Sequence, residues 1–231
     1  MSVTENLHAV EKRVADALRR SGRPENSVTV LAVSKTKPVS DIEELLRAGH
    51  RDFGENYVQE LEEKAKLLPE ARFHMIGHLQ RNKVKKTIGC AVMIHSVDSV
   101  RLAEEISKES VKRGLVTEIL MEINAGNEES KTGFSFEEAP SAADEIVLLP
   151  GLKLRGLMCV APFVRDPEEN RPIFRKMYQL AVDIRNKKAD NKEMNVLSMG
   201  MTGDFEVAVE EGATIVRVGT AIFGERNYRR A

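Results

Sequence analysis

Cysteine is scarce in this chain: Cys90 and Cys159 are the only two in 231 residues, far apart and each in apolar surroundings. That scarcity argues against a disulfide framework and leads to the expectation of two buried free thiols in a reducing, cytoplasmic setting. No cysteine and histidine cluster has metal-ligand spacing, so no metal site is expected. No apolar run is long enough to span a bilayer. The start, Met1-Ser2-Val3-Thr4-Glu5-Asn6, has no basic segment followed by an apolar one, so no secretory leader is expected either. Charge of one sign is also missing. Thirty-five basic residues stand against 36 acidic ones, a formal net charge of -1, which argues against nucleic acid as a partner. No stretch rich in Gly, Ser or Pro divides the chain, and 1–231 reads as a single domain.

What is present is alternation. Val3 to Arg20 is amphipathic, with Leu7, Val10, Val14 and Leu18 at helical spacing, and Ser21-Gly22-Arg23-Pro24 closes it. Eight short apolar runs then alternate with helical patterns, beginning at Val28, Asp52, Arg72, Val92, Thr117, Leu154, Val196 and Ile215. The helical patterns cover Val39 to Ala48, Tyr57 to Leu67, Val100 to Arg113, Phe136 to Leu148, Pro167 to Lys188 and Asp204 to Glu211. Ser40-Asp41, Asp98-Ser99, Ser135 and Gly203-Asp204 offer N-caps. Eight strands alternating with helices predict an α/β fold, a single (β/α)8 TIM barrel with an extra N-terminal helix. A doubly wound sheet would carry a glycine-rich fingerprint after its first strand, where Ser34-Lys35-Thr36-Lys37-Pro38 stands instead.

Functional groups of such a barrel lie at the carboxyl ends of its strands. Lys35 closes the run Val30-Leu31-Ala32-Val33 just before a proline. A lysine there is either a solvated strand end or an amine on an apolar floor, able to form a Schiff base with an aldehyde such as pyridoxal phosphate. After the last two strands, Ser198, Gly200, Thr202, Gly219 and Thr220 pair glycine with hydroxyl groups. Ordinary turn chemistry explains each singly; two such loops side by side suit a phosphate. Arg217 points opposite to Val216 and Val218, either into the barrel or outward in an ion pair. His78 is expected to be buried, hydrogen-bonded support, and Asn56 is ambiguous. Arg81-Asn82-Lys83-Val84-Lys85-Lys86 reads as a solvated face. Glu104-Glu105, Glu128-Glu129 and Glu210-Glu211 need no acid/base role, and Met199 and Met201 would make soft apolar walls.

These residues make a set. Ala32-Val33-Ser34-Lys35-Thr36-Lys37-Pro38, Phe53-Gly54-Glu55-Asn56-Tyr57, His74-Met75-Ile76-Gly77-His78-Leu79-Gln80-Arg81-Asn82-Lys83, Lys131-Thr132-Gly133-Phe134, Gly156-Leu157-Met158, Leu197-Ser198-Met199-Gly200-Met201-Thr202-Gly203-Asp204 and Arg217-Val218-Gly219-Thr220 run along nearly the whole chain. In them the chain closely resembles the pyridoxal phosphate homeostasis protein family, whose barrel is similar to the N-terminal domain of alanine racemase. The resemblance implies pyridoxal 5'-phosphate as cofactor, bound as a Schiff base on Lys35. It implies that Ser198, Gly219 and Thr220 hold the phosphate with help from Thr202. Arg217 would face the pyridine nitrogen and Asn56 would lie near the ring. A permanent cation at the nitrogen disfavours its protonation and weakens the cofactor as an electron sink.

Departures from alanine racemase bear on activity. The chain ends soon after its last strand, at Tyr228-Arg229-Arg230-Ala231, so the racemase's second domain and its tyrosine base are expected to be lacking. Met158-Cys159-Val160 stands where the racemase has a histidine beneath the ring. Racemisation needs a proton removed on one face and delivered on the other, and no partner for Lys35 is evident. The leading expectation is intracellular vitamin B6 homeostasis (storage, buffering or delivery of the cofactor) with little or no catalysis. Apo pyridoxal phosphate enzymes are candidate recipients, and a monomer is expected. The alternatives are a pyridoxal phosphate-dependent amino-acid racemase and a cofactor-free Schiff-base barrel acting on a sugar phosphate.

Overall fold

Ser2 and Glu5 exchange hydrogen bonds at the start of α1 (Val3–Arg20), a reciprocal cap that opens the expected helix. Leu7, Val10, Val14 and Leu18 are buried, as their spacing requires, and Ala17 joins them. Gly22, at φ +65°, turns the chain out of the helix. The computed structural model describes residues 2–126, 132–187 and 193–225. Glu128-Glu129, Lys131, Lys188 and Tyr228-Arg229-Arg230-Ala231 lie outside the described residues.

Eight parallel strands follow and close on themselves: β1 (Thr29–Val33), β2 (Asp52–Glu55), β3 (Arg72–Met75), β4 (Met93–Val97), β5 (Thr117–Ile123), β6 (Leu152–Cys159), β7 (Val196–Ser198) and β8 (Ile215–Val218). Closure comes from β1, which pairs with β2 on one side and with β8 on the other, Leu31 opposite Arg217. Between the strands lie α2 (Val39–Arg47), α3 (Val58–Leu67), α4 (Val84–Thr87), α5 (Val100–Lys112), α6 (Ala139–Ile146), α7 (Arg171–Lys187) and α8 (Phe205–Glu210), and α9 (Thr220–Phe223) follows β8. The predicted (β/α)8 barrel with an extra N-terminal helix is the observed fold.

Local chemistry changed the cap of one helix and moved the starts of two others. Pro38 is the N-cap of α2, so Ser40 and Asp41 lie inside its first turn. Ser135 and Glu138 bond reciprocally ahead of α6, which begins only at Ala139. Asp166 and Glu169 cap a short 3-10 turn, Pro167–Asn170, and α7 starts after it. Among the described residues, no helix is long and apolar enough to cross a membrane.

Strand alternation separates two apolar cores. Ala32, Phe53, Phe73, Met75, Ile94, Ile119, Met121, Leu157, Leu197, Val216 and Val218 face the helices. Leu31, Met93, Leu120, Met158 and Ile215 form a small cluster of their own inside the barrel. Polar side chains share that interior: His95 on β4 hydrogen-bonds Ser198 on β7, across the barrel. At Gly156, φ +154°, a Cβ would lie 1.8 Å from the Val196 carbonyl oxygen. Only glycine admits that approach, next to the register shift between β5 and β6. Both cysteines are free. Cys159 is buried as expected, whereas Cys90 is half-buried because it sits in a tight turn after α4.

Candidate functional site

Six of the seven predicted site residues line one cavity of about 540 Å³ at the carboxyl ends of the strands: Lys35, Asn56, Thr202, Arg217, Gly219 and Thr220. Val33, Ile76, Val160, Pro162, Phe163 and Met201 add apolar walls. Met201 is the soft wall expected of it, whereas Met199 packs toward the helices. Ser198 is the seventh, and its placement differs. Its side chain is fully buried and does not line the cavity; its Oγ accepts from Arg217 Nη1 at 2.7 Å and lies 3.0 Å from His95 Nδ1.

Lys35 has the strand parity of Leu31 and Val33, which turns it toward the barrel mouth. The loop that carries it is strapped down. Ser34 Oγ donates to Glu55 Oε1 at 2.6 Å, and Lys64 Nζ donates at 2.8 Å to each of Ser34 O, Glu55 Oε1 and Glu60 Oε2. Glu60 Oε2 also accepts the Thr36 backbone N–H at 2.8 Å. Thr36 needs such an anchor: its φ of +61° is a left-handed conformation that a β-branched residue rarely takes. Burial pushes the Glu55 carboxyl above the ordinary range, and the opposing pull of Lys64 and Ser34 does not fully offset it. Glu55 stood in the sequence as a strand-end residue beside Asn56, but its partner Lys64 went unread; a helix lysine opposite a strand-end glutamate looks like any solvated pair.

Arg217 faces inward, which resolves the two readings its strand position allowed. An inward guanidinium must be bonded, and this one donates to Ser198 O, Ser198 Oγ and Cys159 O, each at 2.7 Å. Burial lowers its pKa. Burial likewise pushes the Cys159 thiol up to about 12, and burial together with Asp98 pushes the Glu122 carboxyl up to about 7.

Thr202 Oγ1 accepts the Ala221 N–H at 3.4 Å and so ties the loop after β7 to the loop after β8. Asp204 holds the same turn by accepting from Met201 N at 2.7 Å and Asn170 Nδ2 at 2.9 Å. Gly200 is required there: at φ +88°, its Cβ would meet Ala208 Cβ at 2.5 Å. Lys37, unread in the sequence as a wall of the cavity, donates from Nζ to Phe223 O, Gly224 O and Glu225 O at the end of α9. No local signal announced it, because the helix end that Lys37 meets lies 186 residues further along the chain. Asn56 Oδ1 is buried with no hydrogen-bond partner among the described residues.

His78 corrects an expectation. Gly77 packs on the Asn56 backbone, where a Cβ would come within 2.4 Å of Asn56 O. The next side chain is thereby sent outward, and His78 is 55% exposed with Nδ1 at 3.3 Å from Asp98. The buried histidines are His74 and His95, which the sequence showed only as polar residues inside apolar runs. The 81–86 cluster is surface apart from buried Val84, as expected.

Comparison with known proteins adds a second line of argument. The family model for the alanine racemase N-terminal domain matches residues 6–227. The pyridoxal phosphate homeostasis protein of Aquifex aeolicus is 43% identical over 230 residues, covering 99% of this chain and 100% of that protein. PipY of Synechococcus elongatus, solved with pyridoxal phosphate bound, superposes with a TM-score of 0.83 at 32% identity, covering 96% of this chain and 100% of that one. An alanine racemase of Clostridium difficile shares the fold alone, with a TM-score of 0.76 at 14% identity over 99% of this chain and 58% of its own. The barrel, the cavity and these full-length likenesses agree: the chain belongs to the alanine racemase N-terminal domain family and, within it, to the pyridoxal phosphate homeostasis proteins.

Proposed function

We propose that this chain holds pyridoxal 5'-phosphate at the mouth of its barrel, anchored on Lys35, and stores, buffers or delivers it with little or no catalysis. The observation that carries this is convergence. An amine (Lys35), a buried guanidinium (Arg217) and two tied hydroxyl-and-glycine loops (Thr202, Gly219, Thr220) face one cavity of about 540 Å³. The residues fit the cofactor: the unpartnered Asn56 Oδ1 stands in a wall beside the ring's expected place, and the apolar walls suit a flat ring. When bound, the cofactor supplies an aldehyde carbon that condenses reversibly with a primary amine and releases water.

Lys35 supplies that amine. Thr202, Gly219 and Thr220 would hold the phosphate. Ser198 would act at one remove, by fixing Arg217. Arg217, which donates three N–H groups to Ser198 and Cys159, would present a positive charge to the ring nitrogen and so disfavour its protonation. Limited catalysis is supported by the remaining titratable groups. Among the described residues, those lining the cavity besides Lys35 and Arg217 are Lys37 and Asp204, both committed to structural bonds. A two-face proton exchange therefore lacks its second group. The names of the relatives, homeostasis proteins, favour the same reading.

The test is the visible spectrum of the wild type and of Lys35→Ala after incubation with pyridoxal phosphate, followed by borohydride reduction and intact mass. A reduced adduct on the wild type and none on the variant is expected. A wild type without an adduct would overturn the reading, and adducts with sugar phosphates alone would favour the cofactor-free barrel. The same proposal places the protein in the cytoplasm as a monomer that hands its cofactor to apo-enzymes. Loaded protein should then speed reconstitution of an apo-enzyme beyond the rate with free cofactor, and sedimentation should give a single chain.

A further inference from the structure

A row of hydrogen bonds runs through the barrel from its far end to Arg217. His74 Nε2 lies 3.2 Å from Asp52 Oδ1, His74 Nδ1 lies 2.9 Å from His95 Nε2, and His95 Nδ1 lies 3.0 Å from Ser198 Oγ. Arg217 Nη1 donates to that same Oγ at 2.7 Å. His74, His95 and Ser198 are 3%, 0% and 0% exposed, so water does not compete along the row. Asp52 is the most exposed member of the row, in a groove of about 870 Å³ beneath α1, at the amino ends of the strands.

We infer that Asp52, His74, His95 and Ser198 form a proton-responsive relay that positions Arg217 from the opposite end of the barrel. Donor and acceptor inventory permits two arrangements in which every imidazole nitrogen is bonded. Arg217 has only donors, so Ser198 Oγ accepts from it; the Asp52 carboxylate accepts from His74 Nε2–H. In the first arrangement both rings are neutral. The Ser198 hydroxyl donates to His95 Nδ1, and His95 Nε2–H donates to His74 Nδ1. In the second, one proton is taken up from solvent and carried as the second N–H of His74. His74 Nδ1–H then donates to His95 Nε2, and His95 Nδ1–H donates to Ser198 Oγ. His95 stays neutral and changes tautomer.

Ser198 Oγ then accepts from both His95 and Arg217, and its own hydrogen stays on the oxygen but rotates away from His95. A second cation also stands inside the barrel. Both changes loosen the hold on the guanidinium.

The charged neighbours support this assignment. Burial, with His74 and Arg217 nearby, holds His95 well below the ordinary imidazole range, so it changes tautomer rather than charging. Burial would raise Asp52, yet the His74 bond and the neighbouring His74, Arg72 and His50 bring it below the ordinary range, so it remains a carboxylate. Arg217 faces Cys159, Glu122 and Asp204 from the other side. His74, His95 and Ser198 are thus positioning residues; none lines the cavity.

The inference rests on the proposed cofactor reading only for its effect at the ring nitrogen, and the test separates the two. Long-range 15N–1H spectra of the full chain without cofactor, taken from about pH 8 to about pH 5, report each imidazole's tautomer. The expected result is His95 bearing its proton on Nε2 at the upper end and on Nδ1 at the lower. The switch should share one midpoint with His74 proton uptake. Asp52→Asn, which removes the carboxylate bonded to His74 Nε2, should move the tautomer switch to lower pH. In the loaded protein the visible band should shift with the same midpoint and move with the variant. A single His95 tautomer throughout, or a loaded protein whose band ignores the switch, overturns the relay. A tautomer switch in a protein that takes up no pyridoxal phosphate upholds the relay and overturns the cofactor reading instead.

Discussion

Lys64→Met takes away the ammonium that lies 2.8 Å from both Glu55 Oε1 and Glu60 Oε2, and leaves a side chain of similar length and shape. Packing is therefore kept while charge and three hydrogen bonds are lost. The Lys64 side chain is 7% exposed and that of Glu55 0%, so the stranded carboxylate has no route to water. Breaking such a buried pair from one side costs about 3–5 kcal/mol. For a chain of this size that lowers Tm by roughly 6–20 °C, at about 2–4 °C per kcal/mol.

The pH dependence has a definite sign. The Glu55 carboxyl already titrates above its ordinary range in the folded protein, chiefly through burial. The folded state thus binds that proton more tightly than the unfolded chain does, and this contribution is lost as pH rises through the folded pKa. Methionine removes the main opposing pull, so the penalty is larger at pH 8 than at pH 5. Glu60 is freed as well, and with it the anchor of the Thr36 N–H beside Lys35. Uptake of pyridoxal phosphate should fall along with stability. Calorimetry at both pH values and an absorbance titration with the cofactor measure these effects, and adding Glu55→Gln should recover a substantial part of the lost stability. A Lys64→Met protein that melts within about 2 °C of wild type at pH 8, with unchanged cofactor uptake, would refute the claim that this network organises the lysine loop.

Glu122→Gln should leave Tm unchanged at pH 5 and raise it at pH 8. The folded carboxyl, pushed up to about 7 by burial and Asp98, contributes stability that disappears as pH rises through that value; an equal difference at both pH values would contradict this. Thr36→Gly relieves a left-handed backbone penalty of about 1–2 kcal/mol and introduces about 0.5–1 kcal/mol of glycine entropy. Thermal scans should show a small rise, while cofactor titration shows weaker retention because the Lys35 loop is less constrained. A fall in both would show that the φ of +61° is not a source of strain.

Sequence alone determined the order of elements, because periodicity and turn chemistry act over a few residues. Leu7, Val10, Val14 and Leu18 declared α1, and the β-branched run ending at Val33 declared β1 and placed Lys35 at its mouth. Pattern also set Arg217 opposite Val216 and Val218, but a strand does not record which of its faces turns inward. Closure of the barrel decided that, by supplying Ser198 and Cys159 as acceptors. Closure likewise joined His95 to Ser198, 103 residues apart, and drew Ser198 out of the cavity onto the guanidinium. His78 lost its expected burial to the close approach of Gly77 and Asn56, and Lys64 gained two carboxylate contacts, one of them buried, that no local motif announces. Apolar residues reveal their place by repetition along the chain. A buried polar residue is explained by its partner, and here the partners met only when the eight strands closed into a barrel.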